Sequence, residues 1–124
     1  MIYQDELISI FKDIKEDAKF HMLAVPNEHI RNINFLGLEH VEMIQRMIEI
    51  GLMKLKEMFP GEKYAFGFHY PPRNSIDHLH MHCLVKPFKK FKSKMSYSKY
   101  FWFISPEEVV RKILDENNHK SKSS

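Results

Sequence analysis

The chain of 124 residues has few of the residues that mark several common classes of protein. Its single cysteine, Cys83, excludes an internal disulfide framework and a cysteine-rich zinc module. Four glycines are too few for a glycine-rich phosphate loop. No apolar run approaches the roughly 20 residues that a membrane-spanning helix needs, and the acidic N-terminal segment lacks a signal-peptide pattern. The formal net charge of +3 is below that of a dedicated nucleic-acid binder.

These absences are typical of one soluble intracellular domain, which we expect in the cytoplasm, the nucleus or both. The 44% of hydrophobic residues is enough for one hydrophobic core that needs no disulfide bond or structural metal to stabilise it. We expect a folded domain over residues 1–116. A flexible polar tail is expected over residues 117–124, because that segment contains no apolar residue.

Hydrophobic patterning predicts a mixed α+β chain. Apolar, β-branched or aromatic runs that end at proline or at charged turns predict strands over residues 7–13, 20–25, 63–70, 78–86 and 100–104. An apolar stripe with steps of three or four residues predicts one long helix over residues 38–59.

The end of the chain carries a helix-start signal. Ser105 is a good N-cap, Pro106 suits the first helical position, and Glu108 completes a capping box three residues after the cap. These residues predict a short last helix that ends near Leu114. The basic and aromatic residues 88–100 before it are predicted to form a loop.

The most informative segment is a row of three histidines, His78, His80 and His82, separated by Leu79 and Met81. Alternate side chains of a strand share one face, so the three imidazoles would lie opposite the apolar core face. An exposed polar face is the plainest interpretation of the row. Two chemical interpretations compete with it.

A metal site is the first of these, because histidine is the commonest metal ligand. Strand positions four residues apart are about 13 Å from each other, so one ion could bind only two of the three histidines. A further ligand would then come from elsewhere, such as His69 or Asp77.

Nucleophilic catalysis on phosphorus is the second. A neutral imidazole is a good nucleophile, and its unperturbed pKa of about 6.5 keeps it mostly neutral at neutral pH. Flanking histidines could orient the attacking ring and protonate the leaving group, without a metal or another cofactor.

The row followed by two apolar residues resembles the signature of the histidine-triad (HIT) superfamily. Other segments resemble that family in the same order: Phe-Lys-Asp-Ile at 11–14, His-Met-Leu-Ala-Val-Pro-Asn-Glu-His-Ile at 21–30, Gly-Phe-His-Tyr-Pro-Pro at 67–72 and Tyr-Phe-Trp-Phe-Ile at 100–104. The last two segments resemble the branch that holds aprataxin and the third type of histidine-triad nucleotide-binding protein. The resemblance covers roughly residues 5–115.

The resemblance implies catalytic roles for four histidines. His80 would attack the α-phosphorus of an adenylate and form a histidyl-AMP intermediate, which water then cleaves. His82 would bind phosphate and assist the leaving group, His78 would orient His80, and His21 is similar to the family's upstream active-site histidine. It also implies nucleotide-binding residues at the ribose, the base or the phosphate, namely Phe11, Asp13, Ile14, His69, Asn74 and Ser75.

The same resemblance implies a fold and a set of partners. The fold would be α+β, with a five-stranded antiparallel sheet, one long helix packed on it and a short C-terminal helix. The ligand would be a purine nucleotide, either AMP or an AMP conjugate, and the chain would form a homodimer. No metal, no cofactor and no membrane are expected.

The residues and the resemblance together leave three candidate functions. The favoured one is an adenosine phosphoramidase that splits AMP from an amine such as adenylated lysine. An aprataxin-like deadenylase acting on 5′-adenylated DNA is the alternative, because lysines alternate with aromatic residues over 86–100. Aprataxin also carries a C-terminal zinc finger, however, which one cysteine cannot form. A non-catalytic nucleotide-binding module is the third.

Overall fold

The computed structural model describes residues 1–71 and 76–122, and it shows an α+β fold built on one antiparallel sheet. The strand order is β1-β2-β3-β5-β4-β6. The sheet therefore has six strands where five were expected. The strands are β1 (Tyr3–Gln4), β2 (Ile8–Lys12), β3 (Ala18–Pro26), β4 (Tyr64–His69), β5 (Met81–Phe88) and β6 (Phe103–Ile104).

One long helix, α1 (Val41–Met58), covers one face of the sheet and follows a 3-10 turn at Leu38–His40. The predicted helix is thus confirmed, with its first turn wound more tightly. Its buried side chains include Ile44, Met47 and Leu55, which lie in the same core as the apolar side of the sheet. Gly51 permits close packing, because a Cβ there would lie 3.4 Å from Cys83 Sγ of β5.

The histidine row was predicted to lie within one strand, and this prediction is wrong for its first two members. β5 begins at Met81, so His78 and His80 precede it. If the pairing of Ala24 with Met81 continued for two more residues, Leu79 would lie opposite Pro26, which has no N–H to donate to the sheet. The Leu79 amide instead donates to Ile30 O at 2.7 Å, beyond the end of β3.

Two helical segments differ from the prediction. Residues 88–100, expected to be a loop, contain α2 (Phe91–Ser96) and a 3-10 turn at Lys99–Phe101. No glycine or proline lies between Phe88 and Ser105, so nothing in that segment prevents helix formation.

The last helix, α3 (Pro106–Lys122), begins where predicted, and the Glu108 amide donates to Ser105 Oγ at 3.2 Å. It continues past the expected end near Leu114. The last buried apolar side chain is Ile113, so the hydrophobic pattern stops before the helix does. The flexible tail expected over residues 117–124 stays a prediction. Within the described residues, no helix combines the length and the apolar character needed to cross a bilayer.

Candidate active site

Histidines from three adjacent strands converge on one face of the sheet. β5 lies between β3 and β4, so His82 of β5 faces His21 of β3 on one side and His69 of β4 on the other. His80 enters the same cluster from just before β5, and its ring centroid lies 5.0 Å from that of His82. His21, His80 and His82 are buried although histidine is polar.

Three of these rings form a continuous row of hydrogen bonds, which we call the histidine chain (His21, His82 and His69). His21 Nε2 lies 2.8 Å from His82 Nδ1, and His82 Nε2 lies 3.2 Å from His69 Nδ1. Each end meets a backbone carbonyl. His21 Nδ1 donates to Lys15 O at 3.0 Å, and His69 Nε2 donates to Ser96 O at 2.7 Å.

Burial controls the protonation of the histidine chain. Desolvation lowers the pKa of His82 well below its usual value, and the neighbouring histidines lower it further. Desolvation also lowers the pKa of His21 and of His69. Carboxylates at Asp13 and Asp17 oppose that effect at His21.

His80 is oriented differently from the histidine chain. Its Nδ1 donates to the carbonyl oxygen of His78 at 2.8 Å, so this nitrogen carries a hydrogen and Nε2 is the other ring nitrogen. Among the described residues, no hydrogen-bond partner contacts His80 Nε2. Burial and a fixed Nδ1–H orient the His80 ring, and an oriented imidazole with an unbonded nitrogen suits a nucleophile.

An apolar cavity of about 290 Å³ lies against His80. It is lined by side chains from β2, β3 and the segment before β5: Phe11, Leu23, Val25, Ile76, His78 and His80. An apolar pocket with imidazole groups at its wall suits a flat aromatic base.

A second cavity, of about 260 Å³, lies on the other side of the cluster against His69 and His82. Asp13 and Asp17 line it, and Asp13 Oδ2 is 3.5 Å from His21 Nε2. Tyr97 also lines it and donates to Asp17 Oδ2 at 2.6 Å. Burial and the Asp17 carboxylate raise the pKa of Tyr97, which therefore stays neutral.

The predicted site residues fall into three groups. Ten residues were predicted at the site, and eight of them lie within the described part of the chain. Seven of these eight line one of the two cavities or belong to the histidine chain: Phe11, Asp13, His21, His69, His78, His80 and His82. Ile14 is fully exposed and lines neither cavity. Asn74 and Ser75 lie outside the described residues.

Two features of the site differ in detail from the sequence argument. His78 contributes its backbone carbonyl to His80, while its ring Nε2 donates to Pro26 O at 3.1 Å. Tyr97 was noted only as part of a basic and aromatic stretch. No local sequence signal marks it as a neighbour of His21, because the contact joins the residue after α2 to β3 across the fold.

Three described side chains, Asp13, His21 and His82, are close enough to hold a cation, with ligand atoms within 4.8 Å of one another. Two of those atoms, His21 Nε2 and His82 Nδ1, already share a hydrogen bond. We therefore assign the cluster to proton holding. Asp77, named as a metal candidate from the sequence, pairs instead with Arg31 at 3.0 Å.

A further cavity, of about 450 Å³, is separate from the histidines and strongly basic. Five lysines and two aromatic rings line it together with Pro87: Lys63, Lys86, Lys89, Lys90, Lys94, Phe88 and Phe91. We call this the lysine cavity. A smaller depression that includes Lys90 and Ser96 lies between it and the second cavity.

The chain is similar to several known proteins. Residues 1–98 match the family described as scavenger mRNA decapping enzyme C-term binding. A bifunctional adenosine 5′-phosphosulfate phosphorylase/adenylylsulfatase of Arabidopsis thaliana is 37% identical, over 91% of this chain and 81% of the relative. An adenosine 5′-monophosphoramidase of Xenopus tropicalis is 34% identical, over 91% of this chain and 76% of the relative.

Two further matches have lower sequence identity. Aprataxin of Ciona intestinalis is 23% identical over 91% of this chain, which spans only 31% of that relative. A solved HIT family hydrolase from Legionella pneumophila has a TM-score of 0.66 at 22% identity, covering 73% of this chain and 84% of the other. At that identity the structural match concerns the fold alone.

Proposed function

Because the chain belongs to the histidine-triad superfamily, we propose that it is an adenosine 5′-monophosphoramidase. The reaction splits AMP from an amine, such as the side-chain nitrogen of lysine, through a covalent histidyl-AMP intermediate. One observation carries the proposal. His80 lines the apolar cavity and its Nδ1–H is held by the His78 carbonyl, which leaves Nε2 as the ring nitrogen available for attack.

The apolar cavity suits the adenine base. Phe11, Leu23 and Val25 offer it an apolar wall beside the nucleophile. With the base there, the α-phosphorus would lie near His80 Nε2, and the bond to the leaving group would point toward His82. Attack forms the bond between Nε2 and phosphorus and breaks the bond between phosphorus and the amine nitrogen.

The second cavity suits an amine as the leaving group. Asp13 and Asp17 place two carboxylates beside His69 and His82, against one lysine, Lys15, in the same lining. Carboxylates attract an ammonium group and repel an anionic leaving group, so the charges favour release of an amine. The relative from Xenopus tropicalis, named as a monophosphoramidase, supports the same substrate class.

The direct test compares an AMP–lysine analogue with 5′-adenylated nicked DNA for the wild type and for His80→Ala. We expect the wild type to hydrolyse the lysine analogue and His80→Ala to lose turnover while it still binds AMP. His119→Gln, an exposed change on α3, is the matched histidine control and should retain full activity. A wild type that binds AMP and turns over neither substrate would indicate a non-catalytic binding module.

The lysine cavity favours deadenylation of DNA as a second candidate function. Four of its lysines have no ion-pair partner among the described residues, and Phe91 is 76% exposed. Cations beside an exposed ring suit a phosphate backbone with a stacked base. DNA turnover through this surface should weaken steeply with salt, while AMP–lysine turnover should change little.

A charge-reversal pair separates the two candidates. Lys90→Glu alters the lysine cavity, and Lys112→Glu places the same change on an exposed part of α3. If DNA is a substrate, Lys90→Glu should slow its turnover and Lys112→Glu should not. Equal rates for the two variants on adenylated DNA would exclude this surface from the reaction.

We also propose that the chain forms a homodimer, as the superfamily resemblance implies. Met53 and Met58 of α1 are each 41% exposed, which leaves apolar surface available for a partner. Light scattering coupled to size exclusion measures the mass directly. A mass of one chain at working concentration would contradict the proposal.

A further inference from the structure

Three depressions follow one another across the surface, from the histidine chain to the lysine cavity. The second cavity shares Lys15, Asp17 and Ser96 with the smaller depression, which has a volume of about 270 Å³. That depression shares Lys90 with the lysine cavity. Because neighbouring depressions have lining residues in common, the three form one continuous path, which we call the groove.

Two aromatic rings show how far the lysine cavity lies from the histidines. Tyr97 lines the second cavity, and its ring centroid is 5.2 Å from that of His82. Phe88 lines the lysine cavity and stacks on Tyr97, with ring centroids 5.6 Å apart. Two ring-to-ring steps therefore separate the lysine cavity from His82. An extended peptide covers such a distance with about three or four residues, at roughly 3.3 Å per residue.

The charge of the lining changes sign along the groove. At the second cavity two carboxylates, Asp13 and Asp17, stand against one lysine, Lys15. In the smaller depression three lysines outnumber one carboxylate. Among the residues that the structure describes, the lining of the lysine cavity contains five lysines and no acidic side chain. The groove therefore suits a ligand that is neutral or cationic beside the histidines and anionic farther away.

Three separate parts of the chain bring the five lysines together. Lys63 lies just before β4, Lys86 lies in β5, and the others follow β5 over residues 89–94. The Lys86 amide donates to Lys63 O at 2.8 Å, so the pairing of β4 with β5 places these two residues side by side. Of the five, only Lys89 has a carboxylate partner within the described residues, Glu16 at 3.4 Å. The other four ammonium groups repel one another, and a bound anion would relieve that repulsion.

We propose that the groove binds an acidic polypeptide segment that carries the adenylylated lysine. The modified lysine would lie at the second cavity, and carboxylates of the same segment would lie in the lysine cavity. This inference rests on the proposed function and names its substrate class, which is a protein or peptide modified on lysine.

Two other ligands match the groove less well. A small AMP–amine would fill only the second cavity and would leave the lysines without an anion. A nucleic acid would carry phosphates along the whole groove, including past Asp13 and Asp17, where like charges repel. A polypeptide can change its charge from one residue to the next, so it can match both ends. The carboxylates would lie about three to five residues from the lysine, as the length of the groove requires.

Matched peptides test the preference on the wild type. One peptide carries AMP–lysine with glutamates about three to five positions away on both sides, and the other has glutamine in their place. We expect the glutamate peptide to have a KM about 10-fold lower at low ionic strength, with a similar kcat, because the added contacts are remote from the reacting atoms. High salt should remove the difference. Equal KM values at low ionic strength would overturn the inference.

Two double variants test whether the lysine cavity causes the preference. Lys86→Glu with Lys94→Glu reverses two charges of the cavity, and the ratio of the two KM values should fall to about one. Lys56→Glu with Lys112→Glu makes the same change in net charge at exposed positions of α1 and α3, and it should keep the ratio. A ratio that fell equally in both double variants would indicate a response to net charge alone and would contradict a site in the groove.

Fluorescence anisotropy measures the binding without turnover. The labelled glutamate peptide with an unmodified lysine should bind the wild type about 10-fold or more tightly than the variant with Lys86→Glu and Lys94→Glu. A single-stranded oligonucleotide of the same net charge is the comparison ligand. If the oligonucleotide bound the wild type more tightly than the peptide, the surface would serve nucleic acid and the inference would be wrong.

The proposed function and this inference fail separately. A wild type that binds the glutamate peptide in preference to the glutamine peptide but hydrolyses no AMP–amine bond would contradict the proposed function alone. A wild type that hydrolyses AMP–lysine but binds the two peptides equally would contradict the inference alone.

Discussion

Gly67 of β4 offers a sharp test of how the sheet supports the site. It pairs with His82, and a Cβ built on it would clash with Phe103 Cζ and lie 2.8 Å from Ile104 O. The first contact involves a ring and the second a backbone atom of β6. Gly67→Ala therefore cannot be relieved by moving a flexible side chain, and β6 must shift.

The expected cost is that of an overpacked core, about 1–3 kcal/mol of unfolding free energy. Phe103 also packs on His69, with ring centroids 5.1 Å apart, so its displacement should lower kcat as well. Urea denaturation gives the free energy, and the AMP–lysine assay gives the rate.

Gly51→Ala is the matched control, because it adds the same methyl group on the other side of β5. Its Cβ would meet Cys83 Sγ at 3.4 Å, an ordinary contact, and alanine favours the helix by about 1 kcal/mol over glycine. We expect Gly51→Ala to be neutral or stabilising. If Gly67→Ala were as stable as Gly51→Ala, Phe103 and Ile104 of β6 would not pack against Gly67 of β4.

Three further predictions concern acid, metal and base recognition. Burial lowers the pKa values of His21, His69 and His82, so below pH 6.5 the unfolded chain binds protons that the folded one resists. Denaturation at several pH values should therefore show a free energy of unfolding that is constant above that pH and falls below it, by about 1.4 kcal/mol per pH unit for each such proton. A free energy of unfolding that rises as the pH is lowered would contradict this prediction. A chelator should leave activity intact, because His21 and His82 are hydrogen-bonded to each other. Loss of activity in the chelator that added zinc restores would favour the metal interpretation instead. Phe11→Ala should lower kcat/KM for AMP–lysine about 10- to 100-fold, which corresponds to the free energy gained when a phenyl ring is buried against the base. Phe35→Ala removes an exposed ring and should not lower kcat/KM.

Strong local patterns account for the part of the fold that the sequence predicted. β2, β3 and α1 follow from apolar runs and a helical stripe, and Ser105 marks the start of α3. β1 has only two residues, too few to show alternation, and it exists because it pairs with β2. The start of β5 depends on Pro26 in a distant strand, which no local pattern reveals.

The site divides in the same way. The spacing of the histidine row correctly predicted that His80 and His82 lie together. Their side chains point to the same face of the sheet although His80 precedes the first residue of β5. The ends of the histidine chain could not be predicted, since Lys15 O and Ser96 O are backbone atoms of a turn and a short helix. Any residue type could supply those carbonyls, so the sequence carries no signal for them.

The most direct test of the account is to trap the intermediate. The wild type is mixed with an AMP–lysine analogue, quenched during turnover and digested, and the peptides are examined by mass spectrometry. We predict AMP attached to the peptide at His80, and no adduct in His80→Ala. AMP on another histidine, or turnover without any adduct, would contradict nucleophilic attack by His80.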